Sequence, residues 1–375
     1  MIKVLCVDQY ANIGGAQRSL LDLLPAFSQR GWQPSVAAPN SGPFADAVRQ
    51  RGYRVHDLNC GTYASTKKPP VEMLRYTSRL CRLARSLDRL IYRHQFNVLY
   101  VNGPRVLPSA AWVAKLRGFP LVFHCHNRLL QSSAIALAGR SLRLSASHLI
   151  GCCQYAASPL QKYVAPARLK ILFNGVPDME VDSVRPLRTV KRIGIVGRVD
   201  SDKGQVEFMQ AARLVTQHIP DCRFVVAGAP AFSGADYYQK TVTSGEGLPV
   251  SFVDWQDDVA QVYSDLDLLA VPSRATEATT RVILEAYSAR VPVVAFPSGG
   301  IPEVLRDGET GFLTRAISAE ALAERILFAL RMDECRLASI VERARQEWVN
   351  RYTVEAYRDG VCSFLADAVL SRAAA

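Results

Sequence analysis

Acidic side chains are almost missing from one long stretch of the chain: between Leu58 and Val176 only Glu72 and Asp88 carry a carboxylate. No apolar run reaches the length of a transmembrane helix. The nine cysteines show neither a CxxC nor a zinc-type spacing, which argues against a structural metal domain. No strand-like run leads into GxGxxG, which argues against a dinucleotide enzyme. The opening MIKVLCVDQY has no long apolar core and no small-residue cleavage site, so it reads as a strand and not as a signal peptide. Scattered cysteines, with Cys152 and Cys153 adjacent, suit reduced thiols and hence a cytoplasmic location. No helix-turn-helix or RNA-binding pattern occurs, so nucleic acid is not expected as a partner.

The 375 residues are enough for two domains, each with its own core. An apolar content of 49% with 21% charged residues describes a globular protein. The formal charge of +11 is uneven. Residues 1–187 carry about 24 basic and about 9 acidic side chains, roughly +15, and the remainder is roughly −4. A basic first half points to an anionic partner there.

In chain order, Ile2–Val7 predicts a strand, Asp8–Gly15 a loop and Ala16 to Gln29 a helix. Strand-like runs recur at Pro34–Ala38, Arg54–Leu58, Val98–Val101, Leu121–His126 and His148–Cys152, with helical patterns between most of them. Pro177–Lys191 reads as a linker, after which Arg192–Val196, Gln205–His218, Arg223–Ala227 and Val250–Val253 begin a second series. Strands alternating with helices indicate parallel, doubly wound sheets. Val71–Gln95 predicts one amphipathic helix. Arg79, Arg82, Arg89 and Arg93 fall within roughly 40° of Arg75 around its axis, and Leu80, Leu83, Leu87, Leu90 and Ile91 occupy another sector. The pattern suits a packed helix with a solvated basic face, or one that meets anionic lipid head groups.

Several short stretches carry candidate chemistry. Glu277 precedes a helix that begins near Arg281, and Glu285 lies inside it; the spacing suits a longer ligand touched at both ends, with helix N–H groups between for a phosphate. The loop GRVDSDKG holds Arg198 and Lys203 between glycines before a helix, where the two cations can clamp a diphosphate. His124 and His126 are two apart at a strand's end and share one face. That is where ligands bind in parallel sheets, although a structural role is open for either one. Asp200/Asp202 and Asp265/Asp267 have metal-compatible spacing, but Arg198 and Lys203 compete for the same anion in the first pair, and Asp267 abuts an apolar run. No metal is expected.

Taken in order, Gly14–Gly15, His126, Asn174–Gly175–Val176, Gly197–Arg198, Lys203–Gly204, Pro272–Ser273, Glu277, Glu285–Ala286, Pro292–Val293, Gly299–Gly300, Glu303, Asp307–Gly308 and Thr310–Gly311 resemble family 4 of the retaining, nucleotide-sugar-dependent glycosyltransferases. The resemblance implies a GT-B fold of class α/β, two Rossmann-like doubly wound domains facing a cleft. Residues 1–178 would form the acceptor-side domain, 179–191 the linker and 192–352 the donor domain, with 353–375 returning to the first. It implies that Arg198 and Lys203 hold the donor diphosphate in place of a metal, with no cofactor, and that Glu285 binds the ribose. Glu277 would face the donor sugar, backbone N–H groups of Ala278, Thr279, Thr280, Arg281 and Val282 would hold sugar and phosphate, and Gly15 would allow close approach. His126 would meet the sugar near the reacting carbon from across the cleft.

The expected reaction moves a sugar, with retention, from a UDP- or GDP-linked donor to a lipid-linked or surface glycan at the inner membrane face. A same-fold epimerase and a transferase with a small soluble acceptor are the alternatives. Three departures from the family pattern touch donor choice. Ala278-Thr279-Thr280 stands where Gly-Phe-Gly is usual, Gly228-Ala229-Pro230 replaces Gly-x-Gly, and Asp254-Trp255 stands where many members have a glycine.

Overall fold

The structure is a computed structural model that describes residues 2–60, 70–179, 190–229, 235–254, 256, 258–274, 277–278 and 280–373, with the side chains of 70–77, 235 and 372–373 left aside. Two compact units result: Met1–Asn174 with Tyr357–Ala375, and Gly175–Ala356.

In the first unit the strands are β1 (Lys3–Val7), β2 (Gln33–Ala38), β3 (Arg54–Asp57), β4 (Val98–Val101), β5 (Leu121–Cys125), β6 (His148–Gly151) and β7 (Leu169–Ile171). They form a seven-stranded sheet in the order β3-β2-β1-β4-β5-β6-β7, and each neighbouring pair is parallel. Helices α1 (Gly15–Gln29), α2 (Pro43–Gln50), α3 (Pro70–His94), α4 (Leu107–Arg117), α5 (Ser132–Leu144) and α6 (Gln154–Ala157) connect them. Alternate strand residues bury on opposite faces: Leu5, Val7, Leu99 and Val101 join one core, and Val4, Cys6, Val98 and Tyr100 the other. Two-sided burial explains why these strands read as continuous apolar runs. The second of these cores also takes Tyr357, Val361, Phe364 and Leu365. The run ending at His126 stops as a strand at Cys125, and β7 carries too few residues to have been legible as a run.

In the second unit the strands are β8 (Arg192–Val196), β9 (Arg223–Ala227), β10 (Val250–Val253), β11 (Leu268–Val271), β12 (Val293–Ala295) and β13 (Phe312–Leu313). Their order is β10-β9-β8-β11-β12-β13, again parallel. The helices are α7 (Gln205–His218), α8 (Ala235–Ser244), α9 (Ala260–Ser264), α10 (Arg281–Ser288), α11 (Ile301–Val304), α12 (Ala319–Leu330) and α13 (Glu334–Arg351). The last helix, α14 (Val354–Ala373), passes into the first unit from Tyr357 onward. Residues before the undescribed 180–189 already pack in the second unit: Met179 N–H donates to Ser288 Oγ (2.8 Å), and Asp178 pairs with Arg345 (2.6 Å).

Each sheet reverses its strand order once, between β1 and β4 and between β8 and β11. In open parallel sheets the carboxyl ends of the strands at such a reversal open a crevice, where ligands bind. Asp8 and Asn102 follow β1 and β4; the Gly197 loop and the Pro272 loop follow β8 and β11.

Candidate active site

In the second unit the two loops at the reversal are locked together by backbone. Gly204 caps α7 with φ of +78°, and a Cβ there would lie 2.1 Å from Pro272 O. Arg274 N–H donates to Asp202 O (2.8 Å). The carbonyl of Glu277 is held by Gly300 N–H (2.9 Å), and a Cβ on Gly299, whose φ is +58°, would come within 1.9 Å of the same oxygen. Only glycine tolerates that approach in the left-handed region.

This framework brings Lys203 Nζ to 2.5 Å from Glu277 Oε2, with both side chains largely buried. Arg198 is on the same loop, 3.8 Å from Asp200. Glu277 is not helical: α10 starts at Arg281, after Thr280 in extended conformation. The N–H groups at the start of α10 therefore lie between Glu277 and Glu285 in sequence, with the positive end of the helix dipole. Thr280 is buried, and its Oγ1 has no hydrogen-bond partner among the described residues. Ala278 is buried as well, Val282 lies in the first turn of α10, and Thr279 falls outside the described residues.

Glu285 is buried and shaped by two neighbours. Tyr263 OH donates to its Oε2 (2.9 Å), and Arg281 Nε lies 3.7 Å from Oε1. Burial first, and then the Glu285 charge, push the Tyr263 phenol well above its ordinary range, so it stays a donor. Neither Tyr263 nor the Arg281 contact was singled out from sequence; Tyr263 lies 22 positions upstream of its partner. The acid pairs are engaged locally. Asp200 Oδ1 accepts from Asp202 N–H (3.2 Å), Asp267 from Arg192 N–H (2.8 Å), and Asp265 pairs with Arg192 (3.3 Å). A separate groove of about 770 Å³ runs along β9 and β10, lined by Arg223, Val225, Ser251, Gln261 and Asp265 among others; none of the residues expected to bind the donor or to act in catalysis lines it.

In the first unit Gly15 opens α1, and a Cβ there would meet nothing within 4 Å. His126 follows β5 and stacks on His124, with ring centroids 3.9 Å apart and planes tilted by 30°. His124 is fully buried beside Tyr100; burial, then His126, hold it well below the ordinary imidazole range, a structural neutral histidine. His126 Nε2 lies 2.7 Å from Asn102 Oδ1. Asn102 in turn donates to Asp8, which is fully buried. Asp8, Gln17 and Asn102 were missed in the sequence, because only the order β1-β4-β5 makes positions 8, 102 and 126 neighbours.

On α3, Arg79, Arg82, Arg89 and Arg93 are exposed, and Arg85 joins them; the side chain of Arg75 lies outside the described set. Leu83, Leu87 and Ile91 are buried opposite. Helix α4 is bound to α3 by Ser109 Oγ on Leu80 O (2.9 Å) and by Arg117 on Asp88 (2.7 and 3.0 Å). Helix α4 exposes Trp112 (59%) and Leu116 (67%), and Tyr92 (68%) lies under Arg117. The alternation on α4 is weak, so its surface apolar residues carried no signal. Among the described residues no helix is long and apolar enough to cross a membrane.

Family models add a second line of evidence. Residues 13–179 match the model described as Glycosyltransferase Family 4, and residues 190–332 the one described as Glycosyl transferases group 1. The chain belongs to glycosyltransferase family 4. Family relatives include the phosphatidyl-myo-inositol mannosyltransferase of Mycobacterium leprae, 25% identical over 94% of this chain and 92% of that one. A D-inositol 3-phosphate glycosyltransferase of Corynebacterium urealyticum is 30% identical, over 45% of this chain and 43% of its own. Among solved structures, Anabaena HepE in complex with UDP and glucose superposes with a TM-score of 0.79 at 23% identity, covering 98% of this chain and all of that one. The two parallel-sheet units are thus those of the GT-B fold, and the family 4 chain is a glycosyltransferase.

Proposed function

We propose that this family 4 enzyme moves a sugar from a nucleoside-diphosphate donor, UDP- or GDP-linked, with retention of anomeric configuration and without a metal. The Lys203–Glu277 pair beside the start of α10 carries this reading. A cation and a carboxylate held that close match the two ends of a sugar diphosphate. Lys203 and Arg198 take the diphosphate and offset its charge as it leaves, and Glu277 turns to the sugar hydroxyls. The N–H groups of Ala278 to Val282, Thr279 to Arg281 included, line the phosphate and sugar. Glu285, aimed by Tyr263, accepts from the ribose. His126 meets the sugar near its reacting carbon, and Gly15 leaves room for donor and acceptor. The UDP in the HepE complex supports a uridine donor.

The acceptor is a lipid-linked or surface glycan, reached from the cytoplasmic face of a membrane. The basic face of α3 supports this, as do Trp112 and Leu116 exposed on the neighbouring α4, since arginines bind anionic head groups while tryptophan and leucine enter the interface. The lipid named for the Mycobacterium leprae relative points the same way. A small soluble acceptor is the second reading, favoured by the relatives named for D-inositol 3-phosphate.

Thermal-shift titration with UDP-, GDP-, ADP- and TDP-sugars tests the donor: the correct base raises the apparent stability by mass action. Lys203→Ala with full transfer activity on that donor would sink the site assignment. Consumption of donor with no acceptor present, followed by NMR of the sugar, would point to an epimerase instead.

A further inference from the structure

The environment of His126 is specified atom by atom. Gly14 N–H can only donate, and it donates to Gln17 Oε1 (3.1 Å), so the Gln17 amide turns its Nε2 to Asp8 (3.1 and 3.0 Å). Asp8 Oδ1 also accepts Tyr10 N–H (2.9 Å). Every group around the carboxylate is therefore a donor, and Asp8 acts as acceptor at each contact. Its third donor is Asn102 Nδ2 at 2.6 Å, which also faces the carbonyl of Ala16 (3.3 Å). A backbone carbonyl can only accept, so the atom facing it is the amide NH₂. Asn102 Oδ1 then faces His126 Nε2 at 2.7 Å, and an oxygen there requires Nε2 to carry a hydrogen.

We propose that Asp8, through Asn102, is a positioning residue that keeps a hydrogen on His126 Nε2, so that Nδ1 is the lone-pair nitrogen whenever the ring is neutral. The relay rests only on the first unit; its consequence for catalysis rests on the placing of His126 at the donor sugar. The sequence supports the economy of the arrangement: the three residues end the three adjacent strands β1, β4 and β5. The Cys152 thiol donates to the backbone carbonyl of His126 (3.3 Å), which fixes the main chain there, and the neutral His124 ring lies on the face of the His126 ring.

Asp8→Asn makes the test sharp. The new amide cannot set its NH₂ against Tyr10 N–H, which belongs to the backbone and cannot turn. The NH₂ must occupy the Oδ2 side, facing Gln17 and Asn102. Gln17 is anchored by Gly14, whereas Asn102 has only the long bond to Ala16 O to lose. Asn102 should flip, present its NH₂ to His126 Nε2 and force the proton to Nδ1.

The experiment is long-range ¹H–¹⁵N NMR of the full chain with labelled histidine at pH 9, with His126 assigned from the His126→Gln spectrum. The expected result is an Nε2–H signature in the native protein and an Nδ1–H signature in Asp8→Asn. With it, kcat should fall roughly 10- to 100-fold, as for other groups that orient a working imidazole, while donor KM stays within about twofold. Asn102→Leu, which keeps Asp8 satisfied by Gln17 and the backbone, serves if Asp8→Asn folds poorly; there the native tautomer bias should relax to a mixture. An Nδ1–H native ring, or an unchanged tautomer in both variants, overturns the relay. A tautomer that switches in an enzyme whose His126→Gln variant keeps full activity overturns the placing of His126 at the sugar and leaves the relay standing.

Discussion

The two units solve the same problem with different materials. Both present a crevice where a parallel sheet reverses its strand order. In the second, backbone does the holding: glycines at 204 and 299 let loops touch, and side chains enter as charges, Lys203 on Glu277 and Arg281 by Glu285. In the first, side-chain amides and a buried carboxylate do it, through Gln17, Asn102 and Asp8 around His126. The histidines divide the same way, with 56, 94, 124, 126 and 148 in the first unit and only His218 in the second. The diphosphate proposed for the second unit would need fixed charge and free N–H groups, which backbone and lysine supply. Fixing which nitrogen of a ring carries the hydrogen needs a hydrogen-bond pattern, which only specific side chains can write.

Losing a charge in the second unit should have the largest effect. Lys203→Ala is expected to lower kcat/KM by roughly 100-fold or more, the scale for removing a preorganised partner of developing charge; steady-state transfer assays measure it. Next in size, Gly299→Ala adds a left-handed strain and a clash with Glu277 O, and should cost about 2 kcal/mol or more in urea unfolding. Gly15→Ala in the first unit meets open space and should cost far less, which breaks the symmetry between the two loops.

Acid should separate the units themselves. Burial lowers His56 and His148 to about 4. Such histidines stay neutral when folded but protonate when unfolded, so the stability present above about pH 6.5 is lost as pH falls toward 4. Hydrogen exchange between pH 7 and 4.5 should therefore show protection lost first on β3 and β6, with the second sheet following. The opposite order would refute the assignment.

Smaller still is the effect of the surface. Charge reversal at Arg82 and Arg89 should weaken binding to vesicles with 30% anionic lipid severalfold at low salt, and Trp112→Ser should remove the interfacial blue shift of tryptophan fluorescence. Equal binding to neutral vesicles would favour the small soluble acceptor. Thr280→Gly, which restores the usual family residue, should change the donor preference by less than tenfold and leave the fold intact.

Much of the second unit was legible because its information is local. Strands β8, β9 and β10 and helix α7 fall where their apolar periods put them, and Arg198, Lys203, Glu277 and Glu285 sit in short motifs whose order is recognisable. Single short strands such as β7 and β13 were not, since two or three residues hold no period. Tyr263 was hidden for another reason: a lone tyrosine in a helical turn has no signature until Glu285 is set beside it.

By itself the sequence determined the α/β class, the two series of strands, the basic face of α3 and the family to which the chain belongs, because each rests on residues close together or on motifs in order. Tertiary structure alone decided that Lys203 lies on Glu277, that Tyr263 aims Glu285, and that Asp8 reaches His126 through Asn102. Those partners are tens of residues apart along the chain, and what makes them neighbours is the order in which parallel strands are laid side by side, which no local pattern of residues encodes.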